Sequence, residues 1–346
     1  MKTQEYKDFS LRLHSKGARK PMVGQFEFTH RCNLRCQHCS IVHDSQKQEL
    51  NYPELCCILD EIYQEGCLWL CLTGGEPLLR EDFLDIYAYA YKKGFIISIF
   101  TNATLLNKKI AEYLQKFPPF SIEVTLNGVT QKTYELITQT PGSFEKAMRG
   151  IELLRKYSLP LKLKSQAMTL NFNELPLIRR FYEKMGMKFH CSVIIDPRID
   201  GSTEPCSLRL PIEKIWELEN RKELVKGRDE IKDTFFKEEP SDTLFRCPGG
   251  TWAFYVNPFG ELFFCNSMRR PSWDLRSHSF RQGFYELFPK IRSVKFKSGS
   301  KCRTCLIRHL CLYCPGKAEL ERRDPEAPIP YYCELAHLVA DKARRQ

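Results

Sequence analysis

No run of the 346-residue sequence stays apolar over a membrane-spanning length, and residues 1–20 are basic and polar without an apolar core. The first absence argues against a transmembrane helix and the second against a secretory signal, which assigns the chain to the cytoplasm. No segment is repeated, and nothing in the chain looks like a nucleic-acid-binding module. The net charge of +11, with basic stretches at Arg269 and Arg270, 290–301 and 342–345, therefore reads as a solvated basic face or as a surface for an acidic partner or an electron-donor protein. Disulfides are not expected either, because the cytosol keeps thiols reduced.

What the chain has instead is cysteine. Sixteen cysteines stand in a sequence that is 42% hydrophobic, the composition of a folded protein, and long enough for two or three domains. In a reducing compartment such a number points to metal ligation.

From residue 23 to about residue 195, short β-type runs alternate with helical ones. Strands are expected at 23–29, 67–72, 95–100, 121–126, 161–168 and 188–194, and helices at 53–64, 82–93, 108–116, 143–157 and 174–185. This is an α/β pattern: six β units joined by helices make a parallel sheet. Right-handed crossovers curl it into a partial (β/α)6 barrel whose active face lies at the carboxyl ends of the strands. Pro197, Gly201, Pro205 and Pro211 then break the pattern. A helix over 212–225 and a charged segment over 226–242 bridge to a last part rich in Cys, Pro, Gly and aromatics with little periodicity. Such a part suits a small, irregular domain held by metal rather than by a large core. The expected plan is an N-terminal extension at 1–20, the barrel at 21–197, a bridge at 198–244 and a cysteine-rich domain at 245–346.

Cys32, Cys36 and Cys39 stand in the loop after the first strand. Iron–sulfur clusters normally take four cysteines, so a C-x3-C-x2-C group leaves one iron free for another ligand. A zinc site with His30 or His38 as its fourth ligand is the competing reading. The second strand ends in Leu72-Thr73-Gly74-Gly75-Glu76-Pro77. Two glycines there allow close backbone approach to a ligand, and the Glu76 carboxylate can accept hydrogen bonds from an ammonium group.

The cysteine loop, with its strand and barrel context, resembles the radical S-adenosylmethionine (radical SAM) family, whose signature is C-x3-C-x-aromatic-C; His38 fills the aromatic position. The resemblance implies a 4Fe-4S cluster on Cys32, Cys36 and Cys39, with SAM chelated at its free iron. Reductive cleavage of SAM then yields a 5'-deoxyadenosyl radical that removes hydrogen from a substrate, while the protein positions the cofactor and excludes solvent. Gly74, Gly75 and Glu76 are similar to the family's methionine-binding motif. Asn102, in Thr101-Asn102-Ala103, and Thr125, in Thr125-Leu126-Asn127-Gly128, sit in segments similar to further family motifs. They are candidate cofactor or substrate contacts, with ordinary turn chemistry as the alternative.

Seven more cysteines close the chain: Cys247, Cys265, Cys302, Cys305, Cys311, Cys314 and Cys333. Their paired spacing suggests cluster ligation more than packing. The arrangement resembles the SPASM extension of radical SAM enzymes, which binds two auxiliary 4Fe-4S clusters, although Cys311 and Cys314 are one residue closer than the family usually has them. By that resemblance one auxiliary cluster takes Cys247, Cys265 and Cys314, and the other takes Cys302, Cys305, Cys311 and Cys333. The first set lacks a fourth ligand, which leaves either Cys206 or an open iron. Cys56, Cys57, Cys67, Cys71 and Cys191 fall in expected strands or helices and read as packing.

Enzymes of this architecture mostly modify peptides or proteins, so a peptide or protein substrate is expected, together with a flavodoxin- or ferredoxin-like electron donor. A barrel beginning near residue 21 leaves no room for a leader-binding domain, which makes a separate leader-peptide-binding protein a candidate partner. Asn266 stands where the sulfatase-maturing branch has a catalytic Asp, and an amide is a poor base. Porphyrin or other cofactor modification is the enzymatic alternative. A non-catalytic iron–sulfur electron carrier is the other, although it has no use for Gly74, Gly75 and Glu76. Neither a nucleic acid nor a membrane is an expected partner.

Overall fold

The structure of the protein, a computed structural model, describes residues 19–42, 47–220, 242–247 and 249–344. Most of the charged bridge segment and of the N-terminal extension, with the chain end at 345–346, lies outside the described residues.

Six strands pair in chain order and in parallel: β1 (Val23–Glu27), β2 (Trp69–Thr73), β3 (Ile96–Thr101), β4 (Ser121–Thr125), β5 (Leu161–Gln166) and β6 (Cys191–Ser192). Alternation along each strand decides what its two faces hold. Phe26, Leu70, Leu72, Ile97, Ile99, Ile122, Val124 and Leu163 are buried in the core shared with the helices. The residues between them, such as Gln25, Cys71, Phe100, Glu123 and Lys164, are half-buried on the inner side. The core is closed from outside by α1 (Tyr52–Gln64), α2 (Phe83–Lys92), α3 (Lys108–Lys116), α4 (Gln131–Thr138), α5 (Ser143–Lys156) and α6 (Leu175–Lys184). α1 starts where the pattern expects it, because Asn51 and Glu54 form a reciprocal capping box before Pro53. α4 was not expected, being too short to display a helical period. The sixth strand is two residues long where 188–194 was expected; it pairs with β5 alone, and an edge strand with one neighbour is readily shortened.

After the barrel come α7 (Ile212–Asn220) and then a second departure from expectation. β7 (Ala253–Val256) pairs in parallel with β1, on the edge opposite β2, and β8 (Glu261–Phe263) and β9 (Trp273–Asp274) continue antiparallel to give nine strands in one sheet. Gly24 permits this seam, since a Cβ there would enter the Phe254 ring. A helical run, α8, follows as Phe280–Gln282, a π turn at Gly283–Leu287 and Phe288–Arg292. Its Phe280, Phe284 and Phe288 pack with Phe254 and Phe264 in the same core as the barrel. The first half of the cysteine-rich part is therefore held by an aromatic core. The stretch around 302–314 has no strand and leaves Leu306 92% exposed; α9 (Pro315–Arg322) and α10 (Pro330–Arg344) close the described chain. Among the described residues no helix is long and apolar enough to cross a membrane.

Candidate active site

The loop after β1 carries Cys32, Cys36 and Cys39 and is tied down from several sides. The amides of Arg35 and Gln37 donate to the carbonyls of Thr138 and Ile137 at 3.0 Å each, and Gln37 Nε2 donates to the Leu136 carbonyl at 2.8 Å. These are among the last carbonyls of α4, which have no partner inside the helix. The unexpected helix thus holds the cysteine loop. Ser40 O accepts from Ile199 N at 2.9 Å, and Glu49 Oε1 accepts from Thr29 Oγ1 and His30 N at 2.7 and 2.9 Å.

So held, the three thiols stand close enough to raise one another's pKa. Burial is the larger cause and pushes Cys32 up to about 11, with Cys36 higher still. Half-buried thiols of this kind ionise when a cationic metal centre takes the place of their protons, so the donor set fits a thiolate-ligated group. Among the described residues no three such side chains converge tightly enough to hold a single ion; a cluster attaches each thiolate to its own iron. His38 lies beside Cys39 with Nε2 3.1 Å from Asn127 Nδ2, while its buried Nδ1 has no partner. Burial lowers its pKa to about 4, so the ring is neutral.

Glu76, wholly buried, faces this loop from the end of β2. Its carboxylate accepts from Thr101 Oγ1 and Asn102 N, both at 2.7 Å, and from Leu78 N at 3.1 Å. Desolvation outweighs the three donors and pushes the carboxyl up to about 7. The two glycines before it permit a close approach between two loops of the protein itself. A Cβ on Gly74 would meet the Thr29 carbonyl and one on Gly75 the Arg31 carbonyl, and Gly74 has φ +139°. Gly75 N donates to Thr29 O at 2.8 Å and Glu76 N to Arg31 O at 2.9 Å. The glycines let the Glu76 loop press against the backbone of the cysteine loop. Asn102 joins the same junction: its Nδ2 donates to Asn33 Oδ1 at 3.0 Å and lies 3.9 Å from Cys32 Sγ. Thr125 does not; it lines a separate cavity of about 420 Å³ with Lys164, Gln166 and His190.

Residues 26–174 belong to the radical SAM superfamily. That span runs from β1 to the turn before α6 and contains the cysteine loop, Glu76, Asn102 and Thr125. The AdoMet-dependent heme synthase of Methanosarcina barkeri is 26% identical over 335 residues, covering 90% of this chain and 96% of that protein. The PqqA peptide cyclase of Granulibacter bethesdensis is 30% identical over 168 residues, 48% of this chain and 45% of that one. Among solved structures, Streptococcus suis SuiB bound to precursor peptide SuiA superposes with a TM-score of 0.69 at 15% identity, over 94% of this chain and 78% of that chain, which is a likeness of fold. The match makes residues 26–174 a radical SAM domain, which implies SAM and a 4Fe-4S cluster.

Beyond the radical SAM domain, the thiols of Cys265 and Cys314 each feel Cys247, and Cys265 also feels Cys314. Cys311 feels Cys302, Cys305 and Cys333. The structure thus brings together each of the two sets named from the sequence. Cys206 lies beside Arg209, Glu321 and Asp196. Of the cysteines read as packing, Cys67 is buried, whereas Cys57 is exposed, Cys71 lies near Lys164 and Glu123, and Cys191 lines the Thr125 cavity.

A further cavity, of about 180 Å³, lies between the radical SAM cysteine loop and the C-terminal part, lined by Glu27, Ser40, Gly74, Tyr255, Asn266 and Arg269 among others. Sequence reasoning singled out only Asn266 and Gly74 of these, and it took Arg269 for surface charge. The Arg269 side chain is 14% exposed and lies 3.8 Å from Glu27. No periodicity or motif marks Glu27 or Tyr255. What joins them is the pairing of β1 with β7, where Gln25 stands opposite Tyr255.

Proposed function

We propose that this radical SAM enzyme modifies a peptide or protein, with Cys32, Cys36 and Cys39 holding the 4Fe-4S cluster. The observation that carries the reading is the junction at the carboxyl ends of β1, β2 and β3. There the loop of three half-buried thiols, which also carries the unpartnered His38 Nδ1, and the Glu76 carboxylate are joined by one close backbone contact. When bound there, SAM and the cluster supply a 5'-deoxyadenosyl radical that takes hydrogen from the substrate. In this reading Glu76 accepts from the ammonium group of SAM, and Gly74 and Gly75 keep that carboxylate against the cysteine loop. Asn102 braces Asn33 beside Cys32, and Thr125 contacts cofactor or substrate from the neighbouring cavity. The sets Cys247, Cys265, Cys314 and Cys302, Cys305, Cys311, Cys333 hold auxiliary iron–sulfur clusters in a SPASM-like region over 245–346. The exposed Lys290, Lys295, Lys297 and Lys301 support docking of an acidic flavodoxin- or ferredoxin-like donor.

Similarity to a peptide cyclase over about half of this chain supports the peptide substrate. A second reading, modification of a tetrapyrrole, is favoured by one observation: the similarity to a heme synthase runs through nearly the whole of both chains. Anaerobically reconstituted protein, given SAM and dithionite, is expected to form 5'-deoxyadenosine and to shift the mass of a peptide encoded beside its gene. Turnover of an iron porphyrin with no peptide mass change would replace the first reading by the second. A cluster-replete protein that forms no 5'-deoxyadenosine would sink both.

A further inference from the structure

Arg269 is a partly engaged donor: its guanidinium meets the Tyr255 oxygen, and its Nε is left without an acceptor. Its guanidinium lies 4.8 Å from the centre of the Tyr255 ring and 5.1 Å from that of Phe263, so its plane is fixed by two aromatic neighbours. Nε is buried without a hydrogen-bond partner. The carboxylate nearest to it, that of Glu27, is 3.8 Å away, beyond hydrogen-bond length. Glu27 is also engaged elsewhere, accepting from His30 Nε2 at 2.9 Å and from the Tyr255 hydroxyl. A buried ion pair kept only for structure would close to hydrogen-bonding distance, because an unpaired donor in a dry site costs more than the pair returns. The other acidic group in the cavity wall, Asp196, is paired with Lys317 at 2.9 Å.

We propose that Arg269 determines specificity by binding a substrate carboxylate in the cavity between the radical SAM cysteine loop and the Asn266–Arg269 turn. The proposal rests on the radical SAM reading given above, in which the substrate is attacked beside the cysteine loop that this cavity adjoins. A guanidinium takes a carboxylate as a fork, through two parallel N–H···O bonds. The cavity, at about 180 Å³, admits a carboxylate and its adjoining carbons rather than a whole substrate. Ser40, next to Cys39, lines the same cavity, so those carbons are presented toward the cysteine loop. Glu27 repels a second anion and keeps the site selective for one carboxylate set squarely on Arg269. An acidic side chain or chain terminus of a peptide and a propionate of a tetrapyrrole share this chemistry.

The test is equilibrium binding to the unreduced, cluster-replete protein, which needs no turnover. One arm compares coproporphyrin with its tetramethyl ester; the other compares a peptide encoded beside the gene with its fully amidated form. In one arm the wild type is expected to prefer the free acid by on the order of tenfold. That preference falls below about threefold in Arg269→Gln and is partly kept in Arg269→Lys. Glu27→Gln, by removing the opposing charge, tightens the free acid several-fold. The arm that responds identifies the source of the carboxylate. A preference that survives Arg269→Gln unchanged, or a wild type with no preference in either arm, overturns the proposal. If Arg269→Gln does not fold, the opposite responses of Arg269→Lys and Glu27→Gln decide it, and equal responses overturn it. Failure of the radical reading shows separately, as a wild type that forms no 5'-deoxyadenosine.

Discussion

Three hydrogen-bond donors would hold an exposed carboxylate acidic, yet Glu76 is pushed up to about 7 from an ordinary 4.5 because its burial is complete. The sign of the resulting pH dependence follows. Below the unfolded value both states keep the proton and the stabilising contribution is fully present. As pH rises toward 7 the unfolded chain has released its proton while the native one still holds it, and that contribution is lost. The span amounts to about 3 kcal/mol. Thermal denaturation of the metal-free protein is therefore expected to show stability falling from pH 5 to pH 8, and Glu76→Gln to lack that component. The same substitution should weaken SAM about tenfold or more in equilibrium dialysis, since an amide cannot neutralise the ammonium group. Identical pH profiles for the two proteins would remove Glu76 as the cause.

At the scale of elements, two close approaches hold the site together. Where β1 meets β7, Gly24 leaves room for the Phe254 ring, which packs edge-on against Phe280 at 4.8 Å. Phe254→Ala should cost about 3–5 kcal/mol by opening a cavity, and Gly24→Ala about 1–3 kcal/mol by overpacking. The double variant should cost less than the sum, because the new methyl group occupies part of the space the ring leaves; strict additivity in urea denaturation would show that the two do not meet. The second approach is that of the Gly75 loop to the Arg31 carbonyl. Gly75→Ala must push the Glu76 loop off the cysteine loop, so it should lower both the melting temperature and the iron retained after anaerobic reconstitution. Full iron content in that variant would mean the two loops bind their ligands independently.

For the whole molecule the three cysteine sets are separable, and iron counting tests them. Replacing Cys32, Cys36 and Cys39 by Ala should remove about four irons per chain, and replacing Cys302, Cys305, Cys311 and Cys333 about four more, each leaving the rest in place. Cys206→Ala should leave the iron content unchanged, because the groups that act on its thiol are Arg209, Glu321 and Asp196. A loss of a cluster's worth of iron from Cys206→Ala would make it the missing ligand. The cysteine loop, the Glu76 motif and the order of the six barrel units are legible in the sequence because each depends on residues close in the chain: a spacing of thiols, a strand end, a period of two or of 3.6. The short helix α4 and the strand β7 are not, since eight and four residues carry too little pattern. Both act through tertiary pairing, α4 by offering its terminal carbonyls to the cysteine loop and β7 by completing the sheet beside β1. The Glu27, Tyr255 and Arg269 cavity is decided by that pairing alone. Local spacing determined which groups can bear the chemistry, whereas only the folded sheet, by joining strands far apart in the chain, decided which groups wait for the substrate.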